Sequence, residues 1–169
     1  TIAKSKIPTI ALAHGFCIGG ATSLVSACDI RLATKDAKFS IGETKLGLVA
    51  DVGVIQRMPK IVSSGDMNEL ALTGRIFDGE HAEKIRFVSK AYENSDDLFE
   101  AGEKLANEIS SNSKRIVQAT KEALEKSSNL TVDQGLEYAK LWSTSFLVSE
   151  DLREGVMAFL EKRDPKFNE

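Results

Sequence analysis

The sequence predicts a mixed α/β fold followed by an all-helical region. Short apolar runs alternate with helical periodicity over residues 8–60, whereas amphipathic helical stripes dominate from residue 66 onward. With 169 residues, of which 42% are hydrophobic and 28% charged, the chain is long enough to bury a core. We therefore predict a boundary between a first region, 1–65, and a second region, 66–169.

The first region predicts strands that flank a helix. Residues 9–13 are an apolar run between Pro8 and Gly15, which is typical of a buried strand. A helix is expected to follow Gly19-Gly20, and extended segments are expected near residues 30–32 and 39–41. This order predicts a parallel pair of strands joined by a right-handed crossover. The apolar face of the predicted helix has the i, i+3, i+4, i+7 spacing and comprises Ala21, Leu24, Val25 and Cys28.

The second region predicts four helices, each preceded by residues typical of a helix start. Asp96 and Asp97 precede the first stripe, Ser113 the second and Ser149 the last. The third begins with a capping box made by Thr131 and Gln134. Their apolar stripes are Leu98, Ala101, Leu105 and Ile109; Ile116, Thr120, Ala123 and Leu124; Leu136, Ala139 and Phe146; and Leu152, Val156, Phe159 and Leu160.

The predicted sheet is small for the apolar surface it must cover. The chain begins at Thr1 and reaches its first strand within about ten residues, so no earlier unit flanks that strand. We expect further strands to come from residues outside this chain, or from another chain.

Composition argues against several classes of protein. The formal net charge of −3 gives no overall basic field for nucleic acid. No apolar run approaches the roughly 20 residues of a membrane span, and no signal segment opens the chain. Cys17 and Cys28 have no metal-ligand spacing, so we interpret both as buried free thiols and predict no metal site.

The most informative residues lie in two glycine-rich segments. A Gly19-Gly20 step at a helix start leaves N–H groups unpaired at the positive helix end, which suits a developing anion. Glu43 and Asp51 follow, and carboxylates near such a site could move protons. From their context alone, however, the favoured interpretation is that Glu43 is a solvated loop carboxylate and Asp51 a turn or cap residue before Gly53.

Other polar residues favour structural roles. His14 ends a strand beside a glycine, His81 lies in an exposed helical context, and Asp29 lies where the first helix gives way to a strand. Lys162, Arg163 and Lys166 could reach phosphates, although a solvated helix end is the simpler interpretation.

Six segments of the chain carry a recognisable pattern: Ile7–Gly15, Cys17–Gly20, Ser26–Arg31, Leu46–Gly53, Thr73–Arg75 and Phe159–Arg163. Together they resemble the crotonase, or enoyl-CoA hydratase/isomerase, superfamily. Within Leu46–Gly53, the run Ala50-Asp51-Val52-Gly53 is most similar to the dienoyl-CoA isomerases. The resemblance implies a ββα spiral core, of which 1–65 is the C-terminal part, while 66–169 serves trimerisation and covers the active site. It also implies that the N-terminal part of that core, with the first oxyanion donor, is absent here.

The resemblance implies a reaction and a set of site residues. Such isomerases shift the double bonds of a 3,5-dienoyl-CoA to the 2,4 positions in fatty-acid β-oxidation. Gly20 matches the second oxyanion-hole donor, Asp51 the base at C2 and Glu43 the acid toward C6. Gly19, Gly20 and Ser23 are implied in substrate binding. The acyl-CoA is the substrate and no separate cofactor is implied.

Ser23 departs from the family pattern, because dienoyl-CoA isomerases have aspartate and hydratases have glutamate there. Serine is not a general base near neutral pH without an activating partner. Alternatives are therefore an enoyl-CoA hydratase, a Δ3-Δ2-enoyl-CoA isomerase, an impaired acyl-CoA-binding subunit and, remotely, a serine hydrolase.

The family also implies self-association and a location. Its members form trimers or hexamers, and they act in the mitochondrial matrix or the peroxisome. The C-terminal residues Lys166–Glu169 carry no Ser-Lys-Leu peroxisomal address.

Overall fold

The computed structural model describes residues 2–167, so that Thr1, Asn168 and Glu169 lie outside the described residues. The chain divides into two compact units. The first comprises residues 2–5 and 9–104, and the second comprises residues 6–8 and 105–167. The functional boundary between residues 65 and 66 stays a prediction.

Two small sheets organise the first unit. The strands are β1 (Ile10–Ala13), β2 (Phe16–Ile18), β3 (Ile30–Thr34), β4 (Lys38–Ser40), β5 (Phe77–Asp78) and β6 (Lys90–Tyr92). One sheet has the order β1-β3-β6 and the other has the order β2-β4-β5. β1 and β3 are parallel, with Ile10 opposite Ile30, which confirms the predicted parallel pair.

The helices of the first unit connect and cover these strands. They are α1 (Gly20–Ser26), α2 (Val54–Arg57), α3 (Ser64–Thr73) and α4 (Gly79–Lys84), and α5 (Ser95–Ser110) begins in this unit. The predicted strand, helix and strand are therefore present as β1, α1 and β3, with the short strand β2 between β1 and α1. A 3₁₀ turn over Gly42–Leu46 follows β4 and carries Glu43.

An aromatic cluster lies at the centre of the first unit. The Phe39 ring is 5.5 Å from the rings of both Phe77 and Phe87, stacked on the first and edge-on to the second. All three side chains are buried. Because Phe39 and Phe77 also face each other across β4 and β5, the cluster fixes the position of the segment that carries Glu43.

Two sequence-based expectations for the first unit were wrong in part. The predicted apolar face of α1 included Leu24, which is exposed, whereas the polar residues Thr22, Ser23 and Ser26 are buried. Thr22 is accommodated because its hydroxyl donates to the carbonyls of Cys17 and Ser40, at 2.5 and 3.0 Å. The region after residue 66 is also not purely helical, since β5 and β6 extend the two sheets.

The second unit contains the helices α6 (Lys114–Ser127), α7 (Val132–Phe146) and α8 (Glu150–Glu161). Ser113 and Ser149 cap α6 and α8 through their side-chain oxygens. Thr131 and Gln134 form the predicted capping box of α7. An apolar cavity of about 660 Å³ lies among these helices, lined in part by Trp142, Phe146 and Phe159.

Large apolar side chains also remain on the surface of these helices and of the segment between α7 and α8. The most exposed are Leu124, Val132, Leu136, Leu141, Leu147, Val148, Phe159 and Leu160. So much exposed apolar surface is unusual for a protein that has no partner.

Candidate active site

The Gly19-Gly20 step joins β2 to α1 and has the geometry that the sequence predicts. The Gly19 N–H donates to the Ser40 carbonyl at 2.8 Å, which fastens the turn to β4. Gly19 has φ 57° and ψ −118°, a conformation that side chains disfavour. Gly20 is the first residue of α1, so its N–H has no acceptor within the helix. A Cβ added at Gly20 would meet no atom within 4 Å, so this position opens onto free space.

Glu43 lies directly against this turn. A Cβ added at Gly19 would be 3.3 Å from the Glu43 Oε1 atom. The other carboxylate oxygen, Oε2, is buried and has no hydrogen-bond partner among the described residues. The 3₁₀ turn that carries Glu43 is anchored because the Thr44 hydroxyl donates to the Ala71 carbonyl at 2.7 Å. The interpretation of Glu43 as a solvated loop carboxylate is therefore wrong.

Ser23 is buried one turn into α1. Its side chain is 1% exposed, and its N–H donates to the Gly19 carbonyl at 3.1 Å. The Ser26 hydroxyl donates to the Ser23 carbonyl at 2.7 Å. The Ser23 Oγ atom, in contrast, has no hydrogen-bond partner among residues 2–167. Gly19 is thus in contact with both Ser23 and Glu43.

Asp51 lies in a different environment, the segment between Leu46 and Gly53. Its side chain is exposed, and no hydrogen bond or ion pair within the described part of the chain joins it to Glu43. α2 is preceded by Gly53 without a side-chain cap, so Asp51 does not cap that helix. The structure thus places Gly19, Gly20, Ser23 and Glu43 together, and no hydrogen bond or ion pair among the described residues joins Asp51 to them.

Sequence reasoning missed two features of this segment. Apolar side chains surround Asp51 and are exposed, between 54% and 80%: Leu46, Leu48, Val49 and Val52. Arg57 also escaped notice. Its Nη1 atom donates to the Val52 carbonyl at 3.1 Å, and its guanidinium occupies the space that a Cβ of Gly53 would need. Two signals in the sequence could have revealed these features. One is a run of apolar residues without helical period, and the other is a basic residue four positions after a glycine.

The remaining candidate residues have structural contacts. His14 packs edge-on against Phe99, and the ring of His81 lies edge-on to that of Phe77. Asp29 accepts hydrogen bonds from the backbone N–H and the hydroxyl of Thr9, at 2.7 and 2.8 Å. Asp29 therefore ties the start of β3 to the residue before β1.

Arg163 of the C-terminal basic group is held by acidic neighbours. Both of its terminal nitrogens bond the carboxylate of Glu154, at 2.6 and 3.0 Å, and its Nε bonds Glu161. The side-chain hydrogen bond from Arg163, followed by the backbone bond from Lys166, lowers the pKa of Glu154 to about 2. Lys162 ends α8 with a left-handed backbone. The guanidinium of Arg163 is thus bound to carboxylates of α8.

Cys17 and Cys28 are both free thiols, as predicted, with Cys17 buried and Cys28 half-buried. Burial raises the pKa of the Cys17 thiol to about 11. We therefore expect iodoacetamide at pH 8 to modify Cys28 well before Cys17 in the folded protein, because only the thiolate reacts. Peptide mass spectrometry measures both, with the urea-unfolded protein as control. Equal labelling rates in the folded protein would contradict this expectation.

Within residues 2–167, no group of three or more His, Cys, Asp or Glu side chains is arranged to hold a metal ion. Over the same residues, none of the helices has the length and apolar character that a membrane span requires.

The fold is that of the crotonase class. The structure matches an enoyl-CoA hydratase subunit from Geobacillus kaustophilus with a TM-score of 0.92 at 29% identity, over 99% of this chain and 65% of that one. An enoyl-CoA hydratase from Bacillus anthracis also matches with a TM-score of 0.92, at 30% identity, over 98% of this chain and 64% of that one.

Residues 1–169 match the family described as Enoyl-CoA hydratase/isomerase, and the chain belongs to that family. It is 49% identical over 166 residues to the mitochondrial Delta(3,5)-Delta(2,4)-dienoyl-CoA isomerase of Dictyostelium discoideum. It is 42% identical to the peroxisomal Delta(3,5)-Delta(2,4)-dienoyl-CoA isomerase of Arabidopsis thaliana. Both matches cover 98% of this chain, which spans 57% and 60% of the length of these relatives.

Proposed function

We propose that this chain carries the proton-transfer residues of an isomerase that converts a 3,5-dienoyl-CoA into a 2,4-dienoyl-CoA in fatty-acid β-oxidation. The observation that carries the proposal is the packing of the Glu43 carboxylate against Gly19, the residue before Gly20, whose N–H has no acceptor within α1. A proton-transfer group and an anion-stabilising donor are thereby adjacent. The two relatives named as dienoyl-CoA isomerases support this choice of reaction.

The reaction moves two protons and no other group. Asp51 as carboxylate takes a proton from C2, and the released electron pair forms the C2=C3 bond. The C3=C4 pair then forms C4=C5, and the C5=C6 pair takes a proton at C6 from Glu43. One carboxyl group must therefore begin ionised and the other protonated. Because no hydrogen bond or ion pair within the described residues joins Asp51 to Glu43, the two groups are free to serve separate carbons of an extended dienoyl chain.

The N–H of Gly20 has the second role in this proposal. As the proton leaves C2, negative charge accumulates on the thioester oxygen, and a donor prepared for that charge lowers the barrier. We expect the Gly20 nitrogen to lie within about 3.1 Å of the thioester oxygen in a crystal structure of the full-length protein with an acyl-CoA. An acyl-CoA seated away from Gly20 would overturn the assignment.

The exposed apolar side chains around Asp51 support an acyl chain as the substrate. Leu46, Leu48, Val49 and Val52 offer apolar surface beside an acidic residue. An acyl chain lying there would remove this surface from water, a favourable change of roughly 25 cal/mol per Å². The acyl-CoA is the substrate in this proposal, and we propose no separate cofactor.

The direct test is the turnover of a 3,5-dienoyl-CoA by the full-length protein. We expect the ultraviolet absorbance of a conjugated 2,4-dienoyl thioester to appear. Hydration of a 2-enoyl-CoA at a comparable rate would instead favour a hydratase, which Ser23 disfavours because it cannot act as a second carboxylate. Binding of acyl-CoA without turnover of either substrate would favour an impaired binding subunit.

We further propose that the protein is a homotrimer or a dimer of trimers. The exposed apolar residues on α6, α7 and α8, such as Leu124, Leu136 and Phe159, support this, as does Val148 between α7 and α8. We expect sedimentation equilibrium of the full-length protein to give three or six times the protomer mass. Leu136→Glu should shift the distribution toward monomer, because it places a charge in an apolar contact. A wild-type monomer at all concentrations would contradict the proposal.

The relatives' names also support a proposed location. The Dictyostelium protein is named as mitochondrial and the Arabidopsis protein as peroxisomal. We propose the mitochondrial matrix or the peroxisome for this protein, which fluorescence microscopy of the tagged full-length chain would distinguish.

A further inference from the structure

Ser23 and Glu43 share an unusual property. Their Oγ and Oε2 atoms are both buried, and neither has a hydrogen-bond partner among the described residues. A buried polar atom without a partner has lost its hydration without a compensating hydrogen bond, which destabilises the fold, and a carboxylate oxygen destabilises it more. Such atoms are rare in native proteins, and each one calls for a physical explanation.

Ser23 and Glu43 both adjoin Gly19. The Glu43 Oε1 atom is 3.3 Å from the position that a Cβ of Gly19 would occupy, and the Ser23 N–H donates to the Gly19 carbonyl. Ser23 has a hydroxyl that can donate, and the carboxyl group of Glu43 can accept in either protonation state, so their hydrogen-bonding capacities are complementary. The hydroxyls nearest in sequence are already used: Thr22 donates to Cys17 and Ser40, and Ser26 donates to the Ser23 carbonyl.

We infer that Ser23 is a positioning residue for Glu43, with its hydroxyl linked to the carboxyl group of Glu43 through one bridging water. This inference rests on the proposed function only for its effect on turnover. A neutral donor beside Glu43 orients the carboxyl group without placing a second negative charge in the site. In this inference Ser23 contributes to the site by orienting Glu43, although Ser23 is not itself a base.

The chain offers a matched control. Thr34, at the end of β3, is 2% exposed, and its Oγ1 atom is the third buried atom without a partner within residues 2–167. Thr34→Val removes that hydroxyl and preserves the shape of the side chain. Its effect measures the loss of a buried hydroxyl that has no role at Glu43.

The first experiment follows dienoyl-CoA isomerisation by the full-length protein. We expect Ser23→Ala to lower kcat about tenfold with KM changed less than twofold, because Glu43 is misaligned while binding surfaces stay intact. Thr34→Val should leave both constants unchanged. A Ser23→Ala enzyme with wild-type kcat, or one in which only KM changes, would overturn the inference.

The second experiment requires no activity, so that it separates this inference from the proposed reaction. Urea unfolding of the full-length protein compares Ser23→Ala in the wild-type and the Glu43→Ala backgrounds. We expect Ser23→Ala to change the unfolding equilibrium constant about fivefold in the wild type and less than twofold in Glu43→Ala. Equal effects in both backgrounds would show that the two side chains are not coupled, and the inference would fail even if the enzyme is an isomerase. If the protein proves not to isomerise a 3,5-dienoyl-CoA, we still expect the effect of Ser23→Ala on unfolding to differ between the two backgrounds.

Discussion

Replacing either carboxyl group should nearly abolish isomerisation of a 3,5-dienoyl-CoA. We expect Glu43→Gln and Asp51→Asn each to lower kcat by about 10²–10⁴-fold, the usual contribution of general acid–base catalysis. Both amides preserve the size of the side chain but hold no transferable proton. The measurement is the appearance of 2,4-dienoyl-CoA absorbance with the full-length variants.

The affinity for acyl-CoA provides the first control for these variants. Because the substitutions change proton transfer more than shape, the dissociation constant from calorimetry should change less than threefold. Asp36→Asn, an exposed carboxyl group in the turn after β3, is the matched control and should keep wild-type kcat. If Asp51→Asn retains full activity, Asp51 is not the base at C2, and Glu43 must act with another group.

Gly19→Ala should impair both folding and turnover. The backbone of Gly19, with φ 57° and ψ −118°, is unfavourable for alanine, at a cost of about 1–3 kcal/mol. The new Cβ would also lie 3.3 Å from Glu43 Oε1, which is tighter than an ordinary contact. We therefore expect a lower thermal unfolding temperature and at least a tenfold lower kcat, because Glu43 has to move.

Gly20→Ala is the natural comparison, since it changes the adjacent glycine in the same step. Gly20 begins α1 with ordinary helical geometry, and a Cβ there would meet nothing within 4 Å. Its unfolding temperature should match or exceed that of the wild type, because alanine is the better helix former. Scanning calorimetry of both variants measures the difference. Equal destabilisation of the two would contradict the geometry assigned to Gly19.

Local features of the sequence were sufficient to predict most of the helices. Ser113, Ser149 and the Thr131–Gln134 capping box mark helix starts through bonds between residues three positions apart. The Gly19-Gly20 step was likewise predicted to open a helix, which α1 confirms. Such interactions form within a single turn, so the order of residues along the chain determines them.

The short strands β5 and β6 could not be predicted in the same way. Each has two or three residues, too few to show an alternating pattern, and each is paired with a strand more than thirty residues away in sequence. Phe77 is extended because it stacks on Phe39 in the core, a contact between distant residues. The exposed position of Leu24 and the buried hydroxyls of α1 were similarly decided by the strands around that helix.

The candidate site likewise has some features that the sequence determines and others that only tertiary packing determines. The sequence determined which residues are candidates, because Gly19, Gly20, Ser23, Glu43 and Asp51 occur in recognisable segments. Only the tertiary structure decided that the Glu43 carboxylate lies beside Gly19 and that Asp51 is exposed. It also decided that the Ser23 Oγ atom is buried with no hydrogen-bond partner among the described residues. The physical reason is that burial and hydrogen-bond satisfaction depend on which distant segments pack together, and here the pairing of β2 with β4 brings the Gly19 turn to Glu43.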